Sequence, residues 1–145
     1  MDIEASIEIE APAQRVWEVM ADVERWAEWT PSISSIRFLE QPPMRVGGKL
    51  RIRQPKLPPA VWEVVTLEPG RGFVWKAGGP GIHSLGSHYV EPLDNDRSRV
   101  TLRLEQRGPV ANLLQPFVEG MSRNYVEMEI QGLKRRSEDP GYSRP

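Results

Sequence analysis

Residues 108–133 read GPVANLLQPFVEGMSRNYVEMEIQGL, and the fold depends on how this stretch is read. Val110, Leu113, Leu114, Phe117, Val118, Met121, Tyr125, Met128 and Leu133 recur at helical spacing, which predicts one long apolar stripe. Gly108-Pro109 opens it, and proline suits a first helical turn because its missing N–H would have no partner there. Pro116 falls inside the stripe. Either the helix kinks there, or a short helix precedes a longer one that starts at Pro116. Lys134-Arg135-Arg136 lie where the helix should end, and cations there complement its dipole. From Ser137 to Pro145 the composition predicts a disordered tail, so residues 1–136 form the single domain.

Everything upstream must cover that helix. Ile3, Ala5, Ile7 and Ile9 alternate with Glu4, Ser6, Glu8 and Glu10, the period of a strand with one buried face. Val16, Trp17, Met20 and Val23 then recur at helical spacing, so Pro12 to Asp22 is a short amphipathic helix. Val23 to Trp29 continues as a second short helix and stops before Thr30-Pro31. Strands are expected over 33–40, 49–54, 60–68, 72–77, 82–93 and 98–106, with Gly78-Gly79-Pro80-Gly81 as a flexible break. Short turns between successive strands require mainly antiparallel pairing. The class is therefore α+β. A curved antiparallel sheet of six to seven strands surrounds the long C-terminal helix, with two short helices after strand one. One helix cannot cover both faces of such a sheet, so the sheet bends around it and leaves its convex face to water.

Composition narrows the function classes. At 145 residues the chain is long enough to bury about two-thirds of its unfolded surface. The formal net charge of −1 provides no field for nucleic acid, so a nucleic-acid partner is not expected. Cysteine is absent, which removes disulfides, thiolate metal sites and a Cys nucleophile. Met1-Asp2-Ile3-Glu4 lacks a basic start and apolar run, and no stretch reaches the length of a membrane span. A cytoplasmic location without an integral membrane segment is the expectation, and a homodimer is compatible with it.

Several motifs, taken in order, resemble the polyketide cyclase/dehydratase and START-like superfamily, the Bet v 1-like or helix-grip proteins. They are Ile9-Glu10-Ala11-Pro12, Val16-Trp17-Glu18 with Asp22, then Trp26, Trp29, Pro31 and Ile33. Val74-Trp75 after Pro69-Gly70, Gly86-Ser87-His88 and Gly108 continue the match, which covers residues 2 to 136. The resemblance implies a cavity between sheet and helix for a lipid, sterol, polyketide or other apolar ligand. It does not imply one chemistry, because relatives include cyclases, dehydratases, lipid carriers and co-chaperones.

Candidate residues follow from this frame. Trp17 lies on the apolar stripe of the first helix and reads as core. Trp29 either packs near the start of the second strand or lines the pocket mouth. Trp62 and Trp75 sit on central strands, where either role is open. Phe117, Met121, Tyr125 and Met128 on the last helix form the expected pocket floor. His83 and His88 are five apart on one strand, so alternation puts them on opposite faces and no metal site is expected. The resemblance directs His88 inward, although Leu85 and Tyr89 compete for that face. Glu105 is expected within a residue of facing His88, and a His–carboxylate pair by an apolar pocket could serve as acid and base. An ordinary solvent-facing cross-strand pair is the alternative. Glu63 reads as solvent-facing. The chain has no nucleophile elbow, phosphate loop or dinucleotide fingerprint, so no cofactor is expected. Two functions remain: a module that binds an apolar ligand, or a cyclase/dehydratase using His88 with a carboxylate or Tyr125.

Overall fold

The computed structural model describes residues 1–141. Its elements are β1 (Asp2–Ile9), α1 (Ala13–Ala21), a 3-10 helix (Val23–Glu28), β2 (Ser35–Phe38), β3 (Lys49–Arg53), β4 (Ala60–Glu68), β5 (Gly72–Gly79), β6 (Ile82–Pro92), β7 (Ser98–Arg107) and α2 (Pro109–Glu138). The seven strands form one antiparallel sheet in the order β1-β7-β6-β5-β4-β3-β2. The first strand therefore pairs with the last, and α2 packs against β1, β6 and β7 while α1 packs against α2. This is the helix-grip arrangement expected from the order of elements.

Strand alternation decides which side chains meet the helix. Along β1, Ile3 and Ile9 are buried while Glu4 and Glu8 face water. The outer face of β1 and β7 is a ladder of ion pairs, including Asp2 with Arg107 at 2.8 Å and Glu8 with Arg99 at 3.2 Å. Pairs this exposed add little stability but keep the convex face wet. On the inner face, Phe73, His88 and Leu102 form one cross-strand row, and Trp75, Gly86 and Leu104 the next. Gly86 leaves room for a large neighbour, since a Cβ there would stand 2.9 Å from Trp75 Nε1. In β4 a bulge between Val64 and Thr66 shifts the register against β5.

Three local expectations are corrected. The run 78–81 is not a flexible break: Gly78 and Gly79 extend β5, Gly79 faces Ile82, and Pro80-Gly81 makes the tight turn. Gly81 has φ +78°, the value a type II turn demands of the residue after proline. The helix is continuous through Pro116, so it neither starts there nor divides. The carbonyl of Asn112 loses its amide donor, but Asn112 is exposed and water can satisfy it. The tail does not begin at Ser137. Ser137 is buried and Glu138 still helical, because Glu138 accepts from the Glu10 amide and from Lys134. Residues 142–145 of the expected tail lie outside the described residues.

The largest correction concerns which face of α2 points inward. Its buried residues are Ala111, Val126, Ile130, Gly132, Leu133 and Ser137. Of the residues read as its apolar stripe, Leu133 is buried and Tyr125 faces the sheet, but the N-terminal part points to water: Leu113 is 72% exposed and Phe117 81%. Near its C-terminal end the helix approaches the chain after the 3-10 helix closely at Gly132. A Cβ at that position would land on the Trp29 carbonyl oxygen and ring, well inside van der Waals contact. Backbone cannot step aside as a flexible side chain would. Gly132→Ala is therefore expected to destabilise the domain by about 2–3 kcal/mol, read as a lower denaturation midpoint at unchanged m-value.

Candidate functional site

Between the inner face of the sheet and α2 lies a cavity of about 110 Å³. Its aromatic walls are Trp26 from the 3-10 helix, Trp62 from β4, Trp75 from β5 and His88 from β6. Leu102 and Leu104 of β7 and Ile52 of β3 add aliphatic surface. The ring planes are inclined to one another, with Trp26 and Trp75 at 53° and centroids 5.4 Å apart, and Trp62 and Trp75 at 50° and 6.1 Å. Trp26 is held by its indole N–H, which donates to the Met20 carbonyl at 3.0 Å, and only 2% of it is exposed. From α2 come Ser122, Tyr125, Val126 and Glu129.

Each predicted site residue has a definite place. Trp62, Trp75, His88 and Tyr125 line the cavity. Tyr125 donates its hydroxyl to the Pro55 carbonyl, which ties α2 to the β3–β4 loop. Trp29 is in the core instead, with its ring 5.3 Å from Trp26 and against Gly132. Phe117 and Met128 are exposed and Met121 half-buried, and none of the three borders the cavity. Glu105 does not meet His88. The hairpin centres on Asn95, which sets Leu102 opposite His88 and Glu105 opposite Leu85. Glu105 lies on the convex face with Arg103 at 3.2 Å and Arg107 at 3.5 Å.

His88 settles inward, and its surroundings dictate its charge. It stacks on Phe73 at 4.3 Å and 17°, and meets the rings of Trp26 and Trp75 nearly edge-on. Burial drives its pKa down to about 3, against a smaller opposing effect of the Phe73 carbonyl. That carbonyl lies 3.4 Å from Nδ1. A carbonyl only accepts, so Nδ1 carries the hydrogen and Nε2 keeps its lone pair. His83, on the opposite face, is exposed.

The sequence reading missed Trp26 as a wall residue and, more consequentially, Glu129. Burial pushes its carboxyl up to about 8, partly offset by the Ser32 hydroxyl, which donates to Oε2 at 3.4 Å. Ser32 Oγ is in turn 2.7 Å from Thr30 Oγ1. The residue as a whole is half-buried, and it borders the cavity. No ion pair reaches it among the described residues, whereas exposed carboxylates such as Asp2 and Glu8 have arginine partners. At neutral pH it is chiefly the uncharged acid. The clue available in the sequence was its place in the arc Val126, Glu129, Ile130 and Leu133. A glutamate among Glu127, Met128 and Glu129 reads by default as solvated.

Among the described residues, no helix is long and apolar enough to cross a membrane. Solved structures with the same architecture are numerous. A hypothetical protein from Helicobacter pylori superposes with a TM-score of 0.81 at 18% identity, over 94% of this chain and 88% of that one. The Zhui aromatase/cyclase from Streptomyces sp. R1128 gives 0.69 at 22% identity over 99% of both chains. A START superfamily protein from Mycobacterium smegmatis gives 0.71 at 15% identity, over 92% of this chain and 97% of that one. At such identities the likeness is one of fold. No curated protein sequence matches the chain. The profile of one family matches residues 1–138, nearly the full length, and by that match the chain belongs to the family described as polyketide cyclase / dehydrase and lipid transport.

Proposed function

We propose that the protein binds a small molecule with an apolar, ring-sized body in the cavity between the sheet and α2. The observation that carries this reading is the wall itself: three tryptophans and a neutral histidine surround space that no side chain fills. A dry apolar cavity of about 150 Å³ suffices for benzene, so the closed cavity, at about 110 Å³, has to widen somewhat to take one ring. A larger ligand requires α2 and the β3–β4 loop to part, and the Tyr125–Pro55 hydrogen bond is the tie that would open. Titration with tert-butylbenzene, followed by tryptophan fluorescence and thermal stability, tests the reading. Saturable quenching and a raised Tm are expected, and a flat response across one-ring hydrocarbons removes it.

A second reading, a cyclase or dehydratase, is favoured by one pairing. His88 offers an unprotonated nitrogen and Glu129 a protonated carboxyl, and both border the same cavity. Glu129 takes the place there that Glu105 was expected to hold. Likeness to an aromatase/cyclase supports the fold's suitability for such work. Ring closure of a poly-β-ketone analogue by the parent, lost in His88→Gln assayed at a temperature where that variant is still folded, is its expected signature. Unchanged product formation in that variant rules it out.

A further inference from the structure

We infer that the cavity holds the cationic head of an organic amine, with Glu129 as its counter-ion and Trp26, Trp62 and Trp75 as the aromatic walls around it. The inference rests on ligand binding in this cavity and names the ligand's charge class. A carboxyl in the wall of an apolar cavity normally has a cation or several hydrogen-bond donors beside it, since partial loss of water without them is costly. Glu129 has a single hydroxyl at 3.4 Å.

Among the described residues, no element around Glu129 supplies a cation to complete it. The loop before β2 supplies the neutral hydroxyls of Ser32 and Thr30. Gln54, at the end of β3, is a neutral amide that donates to the Ser32 carbonyl at 3.3 Å. On β6, His88 is held uncharged by its aromatic surroundings. On β7, Arg103 borders the cavity, yet its guanidinium pairs with Glu105 at 3.2 Å and Asp2 at 4.0 Å on the convex face. From α2 itself, Ser122 and Tyr125 add only hydroxyls, and that of Tyr125 is engaged by Pro55.

The missing counter-charge therefore has to arrive with the ligand, and the walls suit a cation. Aromatic faces attract ammonium groups through their quadrupoles, most strongly when water is excluded, and tryptophan is the best of them. Trp75 is inclined by about 50° to both Trp26 and Trp62, so the indoles present edges and faces to the cavity instead of stacking on one another. An apolar ligand would need no carboxyl, and an anion would be repelled by it. A neutral ligand accepting a hydrogen bond from protonated Glu129 is the competing chemistry, and its behaviour with pH is opposite.

The test compares two probes of one shape, phenyltrimethylammonium and the uncharged tert-butylbenzene, by calorimetric titration between pH 6 and 9. Since the quaternary cation cannot titrate, it displaces the Glu129 proton. Its affinity is then expected to rise about tenfold per pH unit and level off near pH 8. At pH 8.5 it is expected to bind at least tenfold tighter than tert-butylbenzene. Glu129→Gln, which keeps size and polarity, is expected to abolish both the preference and the pH dependence while tert-butylbenzene still binds. Equal affinities of the two probes in the parent, or a cation preference that survives in Glu129→Gln, overturn the inference and leave ligand binding standing. If neither probe binds, the binding function itself fails and the inference with it.

Discussion

Glu129→Gln is expected to become more stable than the parent as pH rises, by on the order of 4 kcal/mol at pH 8.5. The sign follows from linkage. In the folded protein the carboxyl keeps its proton up to about pH 8, whereas in the unfolded chain it loses it near 4.5. Between those values the folded state binds one proton more than the unfolded state, so stability falls as pH rises, by about 1.4 kcal/mol per unit. The benefit of the raised pKa is intact below 4.5 and gone above 8. Glutamine mimics the uncharged acid, still accepts from Ser32 and never ionises, so this alkaline loss vanishes. Water entering the cavity around the carboxylate reduces the figure without changing its direction. Urea denaturation at half-unit intervals from pH 4 to 9 measures it. Parallel stability curves for parent and variant would show that Glu129 is solvated and would leave the cavity without its acid.

Why this residue escaped notice in the sequence has a physical answer. The alternation of Ile3, Ile7 and Ile9 with Glu4, Glu8 and Glu10 reports burial faithfully, because one face of β1 packs and the other meets water. The same logic applied to α2 assumes that its most apolar arc is the buried one. That assumption fails where the buried arc borders a cavity holding polar groups. Ser122 and Glu129 face inward while Leu113 and Phe117 face out, so hydrophobic periodicity places Tyr125 and Leu133 correctly but misreads the first half of the helix. Gly132 carried the better signal, since a glycine inside a long helix costs about 1 kcal/mol and usually marks a close approach. For His88 the alternation on β6 left Leu85 and Tyr89 as competitors and only the family resemblance pointed inward; in the structure His88 shares its face with Ser84, Gly86 and Val90. Its distance from Glu105 was not legible either, because register depends on the five-residue turn at 93–97 rather than on either strand. Asp94 there receives the Asp96 amide at 2.8 Å and Arg97 Nε at 3.0 Å, which sets the turn's shape.

His88→Gln is expected to expose the alkaline loss of Glu129 in full, because the His88 contribution that it removes has the opposite slope. Folded His88 binds a proton only near pH 3, the unfolded imidazole near 6.5. Over that window the unfolded state binds one proton more, so stability falls as pH falls, again by about 1.4 kcal/mol per unit. From 4.5 to 6.5 this slope and that of Glu129 have opposite signs and cancel. The parent should therefore show a plateau from pH 4.5 to 6.5, with a visible loss of about 2 kcal/mol over the next 1.5 units on either side. Removing one group uncovers the full slope of the other. Glu129→Gln should lose stability steadily from 6.5 down to 3, and His88→Gln from 4.5 up to 8. The exposed carboxylates Asp2, Glu28 and Asp94, whose pKa values are lowered mainly by hydrogen bonds, add to the acid loss equally in all three proteins. They drop out when each variant is compared with the parent. Glutamine at 88 loses the stack on Phe73, so its absolute stability is lower and only the shape of its curve is diagnostic. A parent curve with no plateau, or a His88→Gln curve that keeps the parent's slope between 4.5 and 6.5, would mean that His88 is not the buried, uncharged wall of the cavity.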